Sequence, residues 1–151
     1  MKKKIFLLMI VAIITSCGYQ PMFTTQKANF SINEINHDGT KISKIVTANL
    51  NHFKKNENKI QTYSLNISSK EKKITTLKNT KGDPTNFRLE LIINVVLFNN
   101  EETKLKKSYE EKFEYKNTLG KFELSQYENN IKNQIVSKIS ERIILDLYEM
   151  K

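Results

Sequence analysis

The chain has 151 residues, 25 basic against 16 acidic side chains and a formal charge of +9, with one cysteine, no tryptophan, four glycines and two prolines. A mean hydropathy of −0.52 and the absence of any run of 18 apolar residues beyond the N-terminus argue against a further membrane-spanning helix. A lone cysteine excludes an intrachain disulfide, so the fold rests on its core.

The N-terminus carries the clearest signal. Met1-Lys2-Lys3-Lys4 precedes an apolar run from Ile5 to Ile14 and the exit Thr15-Ser16-Cys17. A basic start, an apolar stretch of about ten residues and small residues at the exit make a secretory signal peptide, too short to span a bilayer. Ile14, Thr15 and Ser16 before Cys17 have the pattern of a bacterial lipobox, in which the Cys17 thiolate accepts a diacylglycerol and cleavage leaves the lipidated cysteine first. Residues 1–16 are thus expected to be removed, leaving a palmitate-type anchor, a tether over 17–29 and one periplasmic domain over 30–151. About 135 residues remain, a single-domain length. Three lysines leave with the signal, so +9 becomes about +6. Lysine and asparagine are abundant throughout, so the charge is read first as solvated lysines.

The spacing predicts a short strand over Phe30–Ile35 with Phe30 and Ile32 on one side. His37-Asp38-Gly39 reads as a turn and Thr40 as an N-cap. From Lys41 to about Lys55, Ile42, Ile45, Val46, Leu50 and Phe53 form one helical stripe. Gln61–Ser69 alternates, with Tyr63, Leu65 and Ile67 on one face. Residues 70–78 are expected to continue that strand after a bulge, anchored weakly by Ile74 and Leu77. Lys81-Gly82-Asp83-Pro84 is a turn. In Phe87–Phe98 every odd position is apolar. The even positions begin with Arg88 and Glu90 and end with Ile92, Asn94, Val96 and Phe98, so this strand needs cover on both faces at one end. Lys104–Lys116 places Leu105, Tyr109, Phe113 and Tyr115 on one face and charges of alternating sign on the other, as an exposed or edge strand does. Residues 122–150 form an amphipathic helix whose Tyr127, Ile131, Ile135, Ile139 and Ile143 step by four, widened by Val136 and Leu147.

The order is β-α-β-β-β-α. The first two strands are expected to pair in parallel around the crossover helix, and the rest to form an antiparallel meander closed by the long helix, which matches the strands in length. The fold class is α+β: a four-stranded mixed sheet with two helices packed on one face. The open face exposes Ile92, Val96 and Phe98, where a partner or lipid docks.

Cys17-Gly18-Tyr19-Gln20-Pro21-Met22-Phe23 resembles the start of the mature LPS-assembly lipoproteins, the LptE-like family also called rare lipoprotein B. The matching positions are Gly18, Tyr19, Pro21 and Phe23, with Met22 where leucine is usual. The layout of the remaining chain, with Phe87-Arg88-Leu89-Glu90-Leu91 following a glycine turn, resembles the alphaproteobacterial branch. The resemblance implies a two-helix, four-stranded domain that plugs an LptD-like outer-membrane β-barrel and contacts lipopolysaccharide on its way to the outer leaflet. It implies anchoring on the periplasmic side of the outer membrane, and no cofactor.

Arg88 and the cluster Lys104, Lys106 and Lys107, with Lys112 nearby, are the candidate contacts to lipid phosphates. The competing reading is a solvated strand end for the lysines and a cross-strand glutamate pair for Arg88. His37 and His52 have no second ligand at useful spacing, so no metal site is expected. No serine elbow or phosphate loop occurs, and the chain is read as a non-enzyme. Aromatics interleaved with lysines at Tyr109, Phe113 and Tyr115 imitate a nucleic-acid platform, but they lie on the face opposite the lysines, and export removes nucleic acid as a partner. Two other classes stay open: a stand-alone lipid carrier built on Ile92, Val96 and Phe98, and a structural tether of the envelope.

Overall fold

The computed structural model describes residues 28–54, 61–117 and 120–150. Its elements are β1 (Phe30–His37), α1 (Lys41–Leu50), a 3-10 turn (Asn51–Phe53), β2 (Gln61–Lys78), β3 (Pro84–Asn99), β4 (Glu102–Lys116) and α2 (Lys121–Glu149). The strands form one sheet in the order β1-β2-β3-β4. β1 and β2 are parallel, and the two following pairs are antiparallel. This is the expected α+β architecture.

Local chemistry explains the elements. Left-handed Gly39 (φ 84°) turns the chain out of β1. Thr40 then caps α1, its hydroxyl accepting from the Ser43 amide at 3.3 Å. α1 buries Ile42, Val46 and Leu50. It stops at Leu50, short of the expected end near Lys55, and the chain tightens into the 3-10 turn that buries Phe53. Phe30 stacks on Phe53 at 5.6 Å and meets Tyr148 edge-on at 5.3 Å, which closes this end of the core. Ala28, inside the segment read as tether, is buried there as well.

Two irregularities depart from simple alternation. A register shift between Ile32 and Glu34 in β1 inserts one residue, so that Ile35 returns to the core beside Ile32. The bulge expected near residue 70 is absent. β2 pairs with β3 without a break from Ser64 to Thr75 and shifts only between Thr75 and Lys78. Polar residues on the core side at Ser69, Glu71 and Lys73 imitated a break in the pattern, but they reach the helix layer instead. Ile74 and Leu77 lie on the surface.

The core lies between the sheet and the helices. Leu65, Leu89, Leu91 and Ile93 of the sheet, with Val46, Val136 and Ile139 of the helices, have no accessible surface. Each such side chain contributes about 1.5–3 kcal/mol of burial. α2 lies along the sheet, antiparallel to β4. Near its start Glu128 accepts from Tyr115 at 2.8 Å, and near its end Asp146 accepts from Tyr109. Ion pairs line its flanks: Lys73–Glu128 (2.6 Å), Arg142–Glu111 (2.7 Å) and Lys107–Asp146 (2.7 Å). Ser140 joins the two helices. It donates to the Val136 carbonyl at 2.8 Å and accepts from Asn49 at 3.1 Å. Among the described residues no helix is long and apolar enough to cross a membrane.

Candidate functional site

The face of the sheet turned away from the helices is built by strand alternation. Its central row, from β3, is Arg88, Glu90, Ile92, Asn94, Val96 and Phe98, all half-buried. β2 places Lys70 opposite Ile92 and Asn66 opposite Val96; β4 places Glu110 and Lys106 opposite the same two residues. Each of these apolar residues therefore stands between a polar residue of β2 and a charged residue of β4. Arg88 lies opposite Glu114 and donates to it from Nε (2.9 Å) and from its terminal nitrogen (2.6 Å). Lys112 pairs with Glu110 at 2.9 Å, and that bond raises the lysine's pKa. The face is a charge ladder over a partly apolar floor.

The four phosphate-contact candidates do not converge. Arg88 holds Glu114, the cross-strand pair that the sequence offered as its competing reading. Lys104 falls at the register shift of β4 and pairs with Glu102 at 2.6 Å. Lys106 stays on the open face with no ion pair among the described residues. Lys107, one residue on, projects to the helix side and holds Asp146. Neighbouring positions of a strand point to opposite faces, so adjacency in sequence separates these lysines in space. His37 accepts from the Gly39 amide at 3.1 Å within its turn, and His52 lies in the 3-10 turn.

A second surface was not legible as a motif. The β2–β3 turn, the end of β4 and the start of α2 meet at one end of the molecule. Asn117 fixes this junction, donating from its amide to the Thr85 carbonyl and from its side chain to the Pro84 carbonyl, both at 2.8 Å. Here Leu77 and Phe122 are 59% and 69% exposed, and Phe113 and Tyr127 are about 40% exposed. Beneath them Tyr115 meets Phe87 at 5.8 Å, Tyr127 at 6.0 Å and Phe113 at 6.5 Å. The Lys73 ammonium lies 4.1 Å from the centre of the Phe87 ring. Burial would raise the Glu128 carboxyl, but hydrogen bonds from Lys73 and Tyr115 outweigh it and hold it below its usual range. The Tyr115 phenol is pushed up, by burial first and then by Glu128. Around this aromatic tip Lys78, Lys81, Lys116 and Lys121 are exposed and carry no ion pair among the described residues. The lysines belong to separate turns, strand ends and the start of α2, and only strand pairing and the β4–α2 connection collect them. The sole cue in sequence was that each turn is flanked by lysine.

Cys17, the lipobox residues Ile14, Thr15 and Ser16, and the motif residues Gly18, Tyr19, Pro21 and Phe23 lie outside the described residues.

A short and a long helix over one face of a mixed sheet, in this element order, is a fold shared with solved bacterial lipoproteins. The chain is similar to the crystal structure of rare lipoprotein B from Shewanella oneidensis, with 10% identity and a TM-score of 0.60 over 78% of this chain and 93% of that one. It is similar to a minor lipoprotein from Acinetobacter baumannii, with 13% identity and a TM-score of 0.58 over 79% and 91%. A solution structure of lipoprotein B from Nitrosomonas europaea gives 13% identity and a TM-score of 0.59 over 87% and 90%. At these identities the likeness is one of fold, and it has the architecture that the resemblance implied. No protein-family model and no curated protein matches the sequence.

Proposed function

We propose that this chain is a lipid-anchored envelope protein. In this reading it partners and plugs an LptD-like outer-membrane β-barrel, supports lipopolysaccharide assembly there, and works by binding without catalysis. The observation that carries the reading is the asymmetric sheet. One face is sealed by two helices, and the other offers the Arg88–Glu114 and Lys112–Glu110 pairs over half-buried Ile92, Val96 and Phe98. Such a face suits the water-lined wall of a barrel better than a lipid interior, where each charge would be costly. The shared fold with rare lipoprotein B supports the same reading, as does the Cys17 lipobox, since several acyl chains make a stable anchor where one does not.

Contact with lipid A phosphates is assigned to the basic tip. Lys78, Lys81, Lys116 and Lys121 are available there, whereas Arg88, Lys104 and Lys107 already hold carboxylates. Exposed aromatic and aliphatic side chains among lysines suit a phosphate-bearing lipid headgroup.

The test is an affinity pull-down from detergent-solubilised outer membrane with a C-terminal tag, in wild-type and Cys17→Ala forms. A large barrel recovered in one-to-one ratio with the wild type is the expected result. A lipidated, outer-membrane protein recovered without a barrel overturns the plug reading and moves the weight to a free-standing lipid carrier or tether.

A further inference from the structure

The end of the molecule opposite the basic tip holds a cleft of about 480 Å³ on the open sheet face. Its lining has a distinct chemistry. Four residues with side-chain amides line it: Asn33 and Asn36 from β1, Asn66 from β2 and Asn100 from the β3–β4 turn. Thr62 and Ser64 also line it, the Thr62 hydroxyl sharing a 3.3 Å hydrogen bond with that of Ser31, and half-buried Phe98, paired in register with Ser64, contributes the aromatic surface. Glu101 closes the rim. None of these four amides makes a side-chain hydrogen bond among the described residues, and Phe98 stacks on no other ring there. Among the described residues, no lysine or arginine lines the cleft.

We infer that this cleft binds a neutral saccharide unit. Each amide offers both a donor and an acceptor, which matches sugar hydroxyls that do the same. The Phe98 face suits the apolar C–H face of a pyranose. A carboxylate accepts from a pair of neighbouring hydroxyls, and a described lining with Glu101 as its one charged side chain suits a neutral ligand better than a phosphate or carboxylate. The volume lies within the range of small-ligand sites.

The turn that presents Glu101 supplies independent support. Asn100 (φ 47°) and Glu101 (φ 67°) form the two-residue connection between β3 and β4, both left-handed. Asparagine tolerates that conformation and glutamate does not favour it. The other left-handed turn positions, Gly39 and Gly82, are glycine. Among the described residues, the strained position that carries a functional side chain is at the cleft, and such strain clusters at ligand sites. The inference stands apart from the barrel reading, since a sugar site on the isolated chain requires no barrel.

The test is side-chain amide NMR on the full ¹⁵N-labelled chain in a detergent without a sugar headgroup. The probes are methyl glucoside, methyl galactoside and N-acetylglucosamine, with glucose 6-phosphate as the charged control. At least one neutral probe is expected to shift the Asn33, Asn36, Asn66 and Asn100 amides saturably, with a Kd of about 1 mM or tighter. Glu101→Gly and Asn66→Ala are each expected to weaken that binding by roughly fivefold or more, with a dispersed spectrum retained. Glu101→Gly relieves the turn, so weaker binding in a more stable protein separates ligand contact from folding. The same sugar displayed as a glycolipid in phosphatidylcholine vesicles then identifies the source. Tighter binding than to the free sugar assigns a lipid-linked glycan, and equal binding a free one. No saturable shift with any neutral probe, shifts unchanged in both variants, or a response confined to glucose 6-phosphate would overturn the inference.

Discussion

The carboxylate of Asp38 accepts a hydrogen bond from the backbone amide of Ser69 at 2.8 Å, across 31 residues of sequence. It also accepts from the Ser43 hydroxyl at 2.5 Å and from the Thr40 amide at 3.1 Å. One side chain thus fixes the β1 exit, the cap of α1 and the middle of β2 together. Burial tends to raise this carboxyl, but the hydrogen bonds from Ser43, Ser69 and Thr40 together hold it far below its ordinary value of 3.8. Because the folded pKa is depressed, the unfolded chain binds the extra proton first as pH falls. The stabilisation is complete above about pH 4 and is lost progressively below it. Asp38→Ala is expected to cost about 1–2 kcal/mol at pH 7, the range for an N-terminal cap with charge-assisted bonds, tempered by solvent exposure. Urea denaturation of wild type and variant at pH 7 and pH 3 checks this, because the gap between the two proteins narrows at the lower pH.

Glu101→Gly is expected to stabilise the fold by about 0.5–1 kcal/mol, since glycine adopts the left-handed turn without the Cβ penalty. A rise in the urea midpoint at unchanged slope is the readout. A fall would show that Glu101 makes a stabilising contact that outweighs its strain.

Burial separates two apolar residues of α2. Ile139 has no accessible surface, and Phe122 is 69% exposed. Ile139→Ala is expected to cost about 2–5 kcal/mol through lost burial and a cavity. Phe122→Ser is expected to stay within about 0.5 kcal/mol of wild type, as surface substitutions do. Thermal unfolding of both variants measures the contrast.

Reversing the tip lysines tests the phosphate assignment. Lys78→Glu, Lys81→Glu, Lys116→Glu and Lys121→Glu together are expected to leave the circular dichroism spectrum unchanged. Binding to vesicles that carry lipid A is expected to fall by well over tenfold, at about 1 kcal/mol per lysine near an anionic surface. Raising the salt concentration weakens the wild type towards the same level. Equal binding by the reversed protein would remove the tip from the lipid contact.

Much of the fold was legible because its periods are clean. The odd positions from Leu89 to Leu97 and the four-residue steps from Ile131 to Ile143 each select one face, and that face is buried in the structure, with Phe87 half-buried at its edge. Phe113 and Tyr127 obey the same periods but lie where the helix meets the open end of the sheet, so about 40% of each remains exposed. The bulge of β1 was not legible, because one inserted residue at Asn33 leaves no compositional mark while returning Ile35 to the core. The site residues fared differently. Lys106 and Lys107 look like one cluster in sequence, yet pleating sends them to opposite faces.

The sequence alone determined the element order and the covered face, because these depend on local periodicity and turn residues. Tertiary structure alone decided which charges are already satisfied and which groups converge. Hydrogen-bond register set Arg88 against Glu114. Packing of α2 along β4 brought Asp146 to Lys107. Strand pairing and the chain's entry into α2 gathered four separate lysines at one end, and the parallel β1–β2 pairing with the β3–β4 turn gathered four asparagines at the other. Those juxtapositions join residues dozens of positions apart, and no local pattern encodes the distance between them.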